Sequence, residues 1–381
     1  MECRPLKRVE DAASLVAALR VLLPDIASRG GATDHDGAFP AEDLAALPDI
    51  GMLAAPLPRR LGGLGLGTEP DGAAALCTAL RLVGRASLPL GRLYEGHVNA
   101  LRLVLRDGCA EQRRSAARDA LSGRLFAVWN TEAPGEQPLW LEDGRLLIGR
   151  KVLCSGAGWV KRALVTARIA ASPEAPRRLV LVNLAPGERA DLSGWTAQGM
   201  RASATGAVDF TGIEIGPDAA PVGAPDAYER QPDFSAGAWR FAAVHCGGVE
   251  ALLGGLRAHL RSTGRGEDPH QAARLGQVAI AAETARLWVA SAALRAEADR
   301  AGAEAVAYAN LARLAVERAA LEALELVQRS VGLAAFMRPY ALERIARDLA
   351  TYLRQPAPDR ALVAAAAHLL AVETEPGDLW G

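Results

Sequence analysis

Ala207-Val208-Asp209-Phe210-Thr211-Gly212-Ile213-Glu214-Ile215 alternates apolar and polar side chains and stops at Gly216-Pro217. A period of two marks a half-buried strand, and the Gly-Pro pair cannot continue one. Upstream the same texture recurs. Arg124-Leu125-Phe126-Ala127-Val128-Trp129 is a short apolar run. Asp143-Gly144 joins Trp140-Leu141 to Leu146-Leu147-Ile148 as a hairpin. Leu164–Ile169 and Leu179–Leu184 are rich in β-formers. Residues 121–225 therefore read as one small β domain, a barrel or sandwich.

Outward in both directions the period changes to that of a helix. Ala13, Leu15, Val16, Leu19 and Leu22 recur at helical spacing in a segment 1–120 of helices and Gly/Pro loops. Ala41-Glu42-Asp43-Leu44 after Pro40 starts another helix, which ends near Leu47-Pro48. Beyond the β domain, segment 226–381 is helical again. Leu275, Val278, Ala282, Ala285, Trp288 and Ala292 form one stripe, preceded by Asp268 as N-cap and Pro269 at the first helical position. Helices over 239–262, 304–330 and 341–354, with a last one capped by Asp359 after Pro356 and Pro358, complete an antiparallel bundle. The expected architecture is mainly α with a middle β domain.

Composition narrows the function classes. The 381 residues carry 43 Lys+Arg and 44 Asp+Glu, a net charge of −1, which speaks against a broad nucleic-acid surface. No apolar run reaches the ~18 residues of a membrane span, and Met1–Asp11 lacks an apolar leader core. Cys3, Cys77, Cys109, Cys154 and Cys246 are scattered, and the six histidines do not cluster. We therefore expect no metal site, no disulfide framework, no nucleic acid, no membrane, and a cytoplasmic location.

Several motifs carry a choice between chemistry and structure. Leu61-Gly62-Gly63-Leu64-Gly65-Leu66-Gly67 has the glycines of a dinucleotide loop. Pro56, Pro58, Arg59 and Arg60 precede it where a buried strand is required, so a structural loop is the better reading. Thr131-Glu132-Ala133-Pro134 and Lys151-Val152-Leu153-Cys154-Ser155-Gly156 each end a strand on groups that can donate to the polar edge of a planar ring, or simply shape a turn. Cys154 has no neighbouring histidine to activate it, and His245 and Cys246 point about 100° apart on a helix, so packing roles are expected for both. Arg261 and Arg265, taken alone, are solvated surface. Arg344, Arg347 and Asp348 read as a helical ion-pair ladder.

Taken together these segments resemble the acyl-CoA dehydrogenase family over nearly the whole chain. Leu57–Gly65 resembles its P-x-x-x-G-G-x-G loop, and Val83-Gly84-Arg85-Ala86 its E-x-G-R-A helix end. Thr131-Glu132 resembles T-E-P, and Gly149–Gly156 the G-x-K-x-x-I-T/S-N-G strand. Gly199-Met200-Arg201-Ala202-Ser203 through Phe210 resembles G-x-R-x-S…V-x-F. Gln328–Gly332 resembles Q-x-x-G-G, and Glu343-Arg344 with Arg347-Asp348 the E-R-x-x-R-D helix. The resemblance implies a helical amino-terminal domain, a small β-barrel and a carboxy-terminal four-helix bundle. It implies FAD, with Thr131, Cys154 and Ser155 facing the flavin ring. Cys154 would stand where Thr or Ser is usual. Arg261, or Arg265, would hold the pyrophosphate, with Gln328 and Gly332 reaching it from a second subunit of a homodimer, a homotetramer or a heteromer.

One departure bears on the reaction. By that resemblance the family removes an α-proton from an acyl thioester with a carboxylate nine residues past the R-D arginine. Here that position falls on Gln355 or Pro356, and the alternative position on the bundle's first helix reads Ala238-Trp239-Arg240. None of these can accept a proton near neutral pH. Three functions follow as expectations. The first is an FAD-dependent dehydrogenase of an acyl-CoA or other acyl thioester with a non-standard base, passing electrons to an acceptor flavoprotein. The second is a flavin monooxygenase or oxidase on the same fold. The third is a non-catalytic subunit of a heteromeric enzyme. The first is preferred as the class label, since nothing positive in the sequence marks the oxygenase.

Overall fold

The computed structural model describes residues 10–216 and 221–380. The expectations placed on Cys3 and on the Pro217 strand stop lie outside the described residues. The chain forms two compact units. One comprises Met1–Ala75, Arg92–Ala197 and Arg201–Arg230, and the other Leu76–Gly91, Gln198–Met200 and Gln231–Gly381.

In the first unit, helix α1 (Ala12–Arg29) is capped by Asp11, whose carboxylate accepts from Ser14 N at 2.7 Å. Its buried face is Leu15, Leu19, Leu23 and Ile26. Ala13 and Leu22, expected in that stripe, lie off it, because the 3.6-residue turn continues the row through 23 and 26. Helix α2 (Ala41–Asp49) begins where expected and runs one residue past Pro48. The Gly62–Gly67 segment follows a run of turns, not a strand, and folds back on Ala55 and Leu57 through backbone hydrogen bonds. A Cβ on Gly63 would collide with the carbonyls of Ala54 and Leu57, so its glycine serves chain packing.

Helix α3 (Ala73–Ala86) is followed by α4 (Leu88–Asp107) and α5 (Ala110–Leu121). Nine strands come next: β1 (Phe126–Trp129), β2 (Trp140–Glu142), β3 (Leu146–Ile148), β4 (Arg150–Cys154), β5 (Arg162–Arg168), β6 (Arg177–Asn183), β7 (Ala190–Asp191), β8 (Gly206–Asp209) and β9 (Ile213–Glu214). They form a six-stranded sheet on the path β1-β5-β2-β3-β9, with β6 also on β5, and a three-stranded sheet β4-β8-β7. β5 pairs antiparallel with β6 along its whole length and parallel with β1. The Asp143-Gly144 hairpin forms as expected, both residues at positive φ.

The stretch 207–215 does not form a single strand. It breaks at Phe210-Thr211-Gly212 into β8 and β9, which belong to different sheets. Thr211 N donates to Asp209 Oδ1 at 2.9 Å, and Gly212 sits at φ 83°. An Asp three residues before a left-handed glycine, accepting from the backbone two residues on, builds a turn, and this overrides the alternation.

The core of this unit packs Ala100, Leu101, Val104 and Leu105 of α4 and Ala116, Ala117 and Ala120 of α5 against Phe126, Leu164, Leu179 and Leu181 of the sheet. Each fully buried aliphatic there contributes about 1.5–3 kcal/mol. His97 of α4 ties the two layers together. Its Nε2 lies 2.8 Å from Leu53 O, and its Nδ1 accepts from Phe126 N at 3.1 Å.

The second unit is helical: α6 (Asp233–Ala236), α7 (Trp239–Ser262), α8 (Pro269–Ala296), α9 (Ala303–Val331), α10 (Ala341–Tyr352) and α11 (Pro358–Ala371). Asp268 caps α8 by accepting from His270 N and Gln271 N, each at 2.9 Å, and Pro269 opens it as expected. The core stripe of α8 is Val278, Ala282, Ala285, Val289 and Ala292. Trp288, expected in that stripe, is half-buried and packs 5.1 Å from the Tyr308 ring instead. Asp359 does not cap α11; Ala357 occupies that position at φ 53°, and Asp359 lies exposed in the first turn. Helices α3 and α7 meet backbone to backbone, since a Cβ on Gly84 would strike Val244 O and one on Gly247 would strike Arg81 O. The Gly84 of the helix-end motif is thus a helix-crossing residue.

The α10 charges are only partly a ladder. Arg347 pairs with Glu343 at 2.7 Å, as an i,i+4 pair should. Asp348 is buried, however, and accepts from Met200 N at 2.6 Å, while Arg347 Nη1 donates to Gln198 O at 2.7 Å. This helix therefore holds the 198–200 segment through charge-assisted bonds.

Candidate functional site

On the first unit, β1 ends at Trp129 and the chain passes through Asn130, Thr131 and Glu132. Lys151, on β4, is fully buried beneath them. Its ammonium has three protons and three acceptors: Asn130 O at 3.1 Å, Glu132 Oε1 at 3.0 Å and Thr166 Oγ1 at 3.1 Å. Thr166 in turn donates to Asn130 Oδ1 at 2.6 Å. Burial lowers the Lys151 pKa, and Glu132 opposes that shift. Val152 N also donates to Thr131 O at 3.0 Å. Thr131 is thus exposed, with its backbone and both neighbours fixed.

The β4 end separates the two residues expected to face a ring. Leu153 takes φ 55°, so Cys154 turns inward; it is fully buried, and its Sγ lies 3.7 Å from Val152 O. Burial pushes its thiol well above the ordinary range, which leaves no thiolate for nucleophilic attack. Ser155 is half-buried and carries the hydroxyl. Its Oγ accepts from Arg92 Nε and from Thr205 Oγ1, both at 3.3 Å, and its carbonyl accepts from Trp129 Nε1 at 3.1 Å.

Arg92 belongs to a polar row on α4. Its Nη1 donates to Glu95 Oε2 at 2.6 Å, and Asn99 Nδ2 donates to the other oxygen of the buried Glu95. Arg92, Leu93 and Gly96 of α4, Phe126–Trp129, Ser155 and Val160 line a crevice of ≈ 10 Å³. Sequence reasoning singled out neither Arg92 nor Glu95, and it named Lys151 only as part of the strand motif that ends at Gly156. On one chain a charge at i, i+3 and i+7 of a helix, or alternating in a strand, reads as a solvated face.

On the second unit, Arg265 Nη1 donates to Ser330 O at 3.3 Å, which brings it to the end of α9 between Gln328 and Gly332. Gly332 is exposed at φ 78°, ψ −150°, a conformation that needs glycine. Arg261 is exposed on the last turn of α7. These four residues therefore gather at one end of the bundle.

The turn expected to carry a base offers none. Gln355 Nε2 donates to Tyr352 O at 2.8 Å, and Pro356 O accepts from Arg313 Nη2 at 2.8 Å. At the alternative position Arg240 is buried and paired with buried Glu297 at 2.6 Å, and Trp239 Nε1 donates to the same carboxylate at 3.1 Å. His245 packs edge-on to Tyr352 at 4.5 Å and beside Phe241 at 5.4 Å, while Cys246 is buried with its thiol pushed up, as packing roles require.

Residues 16–124 match the family described as acyl-CoA dehydrogenase, N-terminal domain. A curated relative, the L-evernosamine nitrososynthase of a Micromonospora species, is 31% identical over 237 residues, or 58% of this chain. The match spans 52% of that relative, so the chain covers about half its length. Among solved structures, KijD3 in complex with FMN and dTDP-3-amino-2,3,6-trideoxy-4-keto-3-methyl-D-glucose is similar at TM-score 0.80 and 25% identity, covering 100% of this chain and 97% of that one. Butyryl-CoA dehydrogenase from Megasphaera elsdenii shares the fold at TM-score 0.79 and 15% identity, covering 97% and 99%. The amino-terminal segment is thus matched by that family's amino-terminal domain, and the full length shares the fold of butyryl-CoA dehydrogenase.

Proposed function

We propose that this protein is a flavin-dependent monooxygenase that places one oxygen atom of O2 on the amine nitrogen of a nucleotide-linked amino sugar. The observation that carries this reading is the Gln355-Pro356 turn. Both residues are committed to local bonds, and Arg240-Glu297 closes the other base position as a buried ion pair. Thioester α,β-dehydrogenation needs a carboxylate at the α-carbon, whereas an amine nitrogen already has the lone pair that attacks oxygen. The nitrososynthase relative and the amino-sugar nucleotide bound to KijD3 support the same substrate class.

The residues fit a flavin. On the first unit Thr131 and Ser155 offer hydroxyls to a flavin ring, and on the second, considered by itself, Arg261 and Arg265 offer guanidinium forks that suit a phosphate beside the open backbone of Gly332. The resemblance implies FAD, while the KijD3 structure holds FMN; a flavin of either kind is the proposal. Bound reduced flavin would supply two electrons, so that one oxygen atom enters the substrate and the other leaves as water. The chain's own part is to hold that ring: Lys151 fixes the Thr131 segment through Asn130 and Glu132. Exposed Ile280, Leu287 and Leu294, seven residues apart on α8, would suit a second copy of the chain.

The test supplies the purified protein with flavin, an NADH-dependent flavin reductase, O2 and the KijD3 amino-sugar nucleotide. The expected product is heavier by one oxygen, and that oxygen comes from isotopically labelled O2. Anaerobic bleaching of the oxidised flavin by an acyl-CoA, without oxygenation of the amine, would restore the dehydrogenase. A protein that takes up flavin only with another chain would favour the non-catalytic subunit.

A further inference from the structure

We infer that Arg313 of α9 is a specificity-determining residue that binds a phosphate of the nucleotide-linked substrate beside the Gln355-Pro356 turn. This rests on the amino-sugar reading and deepens it. What holds the guanidinium is local to the helical unit. Its Nη2 donates to Pro356 O at 2.8 Å, and its central carbon lies 5.3 Å from the centre of the Phe241 ring. Phe241 packs on His245 at 5.4 Å, and His245 packs edge-on at 4.5 Å to Tyr352, whose carbonyl accepts from Gln355 Nε2. One backbone bond and a row of rings on α7 and α10 therefore fix the fork beside the turn. Among the described residues no other protein acceptor meets it, and its free nitrogens are not sealed from solvent. A positioned fork with spare donors calls for an acceptor from outside the chain.

Charge then selects that acceptor. Arg313 is half-buried, and burial pulls its pKa below the ordinary arginine value, with Glu317 opposing the shift. Among the described residues no carboxylate forms an ion pair with it, because Glu317, one helical turn on, is bonded at 2.9 Å to Arg354. Two guanidiniums thus share one carboxylate, which leaves a positive charge in excess, and Gln355 and Pro356 add none of their own. A partly desolvated cation without a contacting counter-ion is stabilised by an anion and repels the ammonium form of the substrate's amine. On a nucleotide-linked amino sugar the anion is the diphosphate, and its oxygens match a guanidinium fork.

The test measures, by calorimetry, the affinity of the FMN-loaded protein for the KijD3 amino-sugar nucleotide and for dTDP, and that of the flavin-free protein for FMN. Arg313→Gln is expected to weaken both nucleotides about tenfold or more and to leave FMN unchanged. Glu317→Gln removes the carboxylate that opposes Arg313 and should tighten both nucleotides several-fold. A merely structural Arg313 would give no such gain, and the gain can be read even where Arg313→Gln does not fold. Unchanged nucleotide affinities in Arg313→Gln, or no gain in Glu317→Gln, overturn this inference alone. Binding of neither nucleotide by wild type ends the amino-sugar reading and the inference with it. If Arg313→Gln weakens FMN and spares the nucleotides, the phosphate belongs to the flavin, and the substrate assignment is wrong.

Discussion

Glu297→Ala is expected to lower the stability of the helical unit by about 3–5 kcal/mol, the usual cost of removing one partner from a buried ion pair. Glu297 closes α8 and accepts from both Arg240 Nη1 and Trp239 Nε1, and its side chain is 3% exposed against 6% for Arg240. The alanine variant would leave the Arg240 guanidinium without its buried counter-charge, at a point where water cannot replace the lost oxygen. The pair's net contribution is much smaller than the cost of breaking it, because two desolvated charges roughly repay each other. The double variant Arg240→Met/Glu297→Met should therefore recover most of the loss. Thermal melts of the single and double variants check this. A single variant that melts within a degree or two of wild type would show that the pair is hydrated in solution.

The second large effect is a loss of stability on acidification that runs through His97. The imidazole is fully buried, and burial holds its pKa down at about 4, against 6.5 for a free histidine. Phe126 N donates to Nδ1, so Nε2 carries the single ring proton and donates it to Leu53 O. A second proton would have to displace the Phe126 bond. The native pKa is the depressed one, so His97 contributes fully above pH 6.5. Its contribution then falls as the unfolded chain takes up the proton, until the folded ring titrates near pH 4. The separation of pKa values amounts to about 3 kcal/mol over that window. His97→Gln keeps a donor for Leu53 and cannot titrate. In urea unfolding, wild type should be the more stable at pH 7, and the two curves should converge towards pH 4. Parallel curves would remove His97 from the account.

How much of this could be seen in the chain alone differs by kind of information. The hairpin at Asp143-Gly144, the Asp268-Pro269 helix start and the long helices of the bundle follow from local chemistry, and they stand as expected. The 207–215 stretch misleads because an Asp209-to-Gly212 turn is a local preference hidden inside a good alternation. The site is harder to see. Asp348 looks like one more helical charge until Met200 N is seen beneath it, and Arg92 looks like surface until Ser155 closes on it. Both depend on contacts between residues 63 or more positions apart, and no period in the sequence encodes those. The absence of a base is the exception. A missing carboxylate at Gln355-Pro356 can be read without coordinates, although the sequence reading still preferred a thioester dehydrogenase with a non-standard base.

The buried ammonium of Lys151 has a practical side. The chain has only three lysines, Lys7, Lys151 and Lys161, and of the latter two Lys161 lies open on the surface while Lys151 is sealed under β1. An amine-reactive dye applied to the native protein should therefore mark Lys161 and bypass β4. Slow tagging of Lys151 would then act as a clock for transient opening of the strand end that presents Thr131.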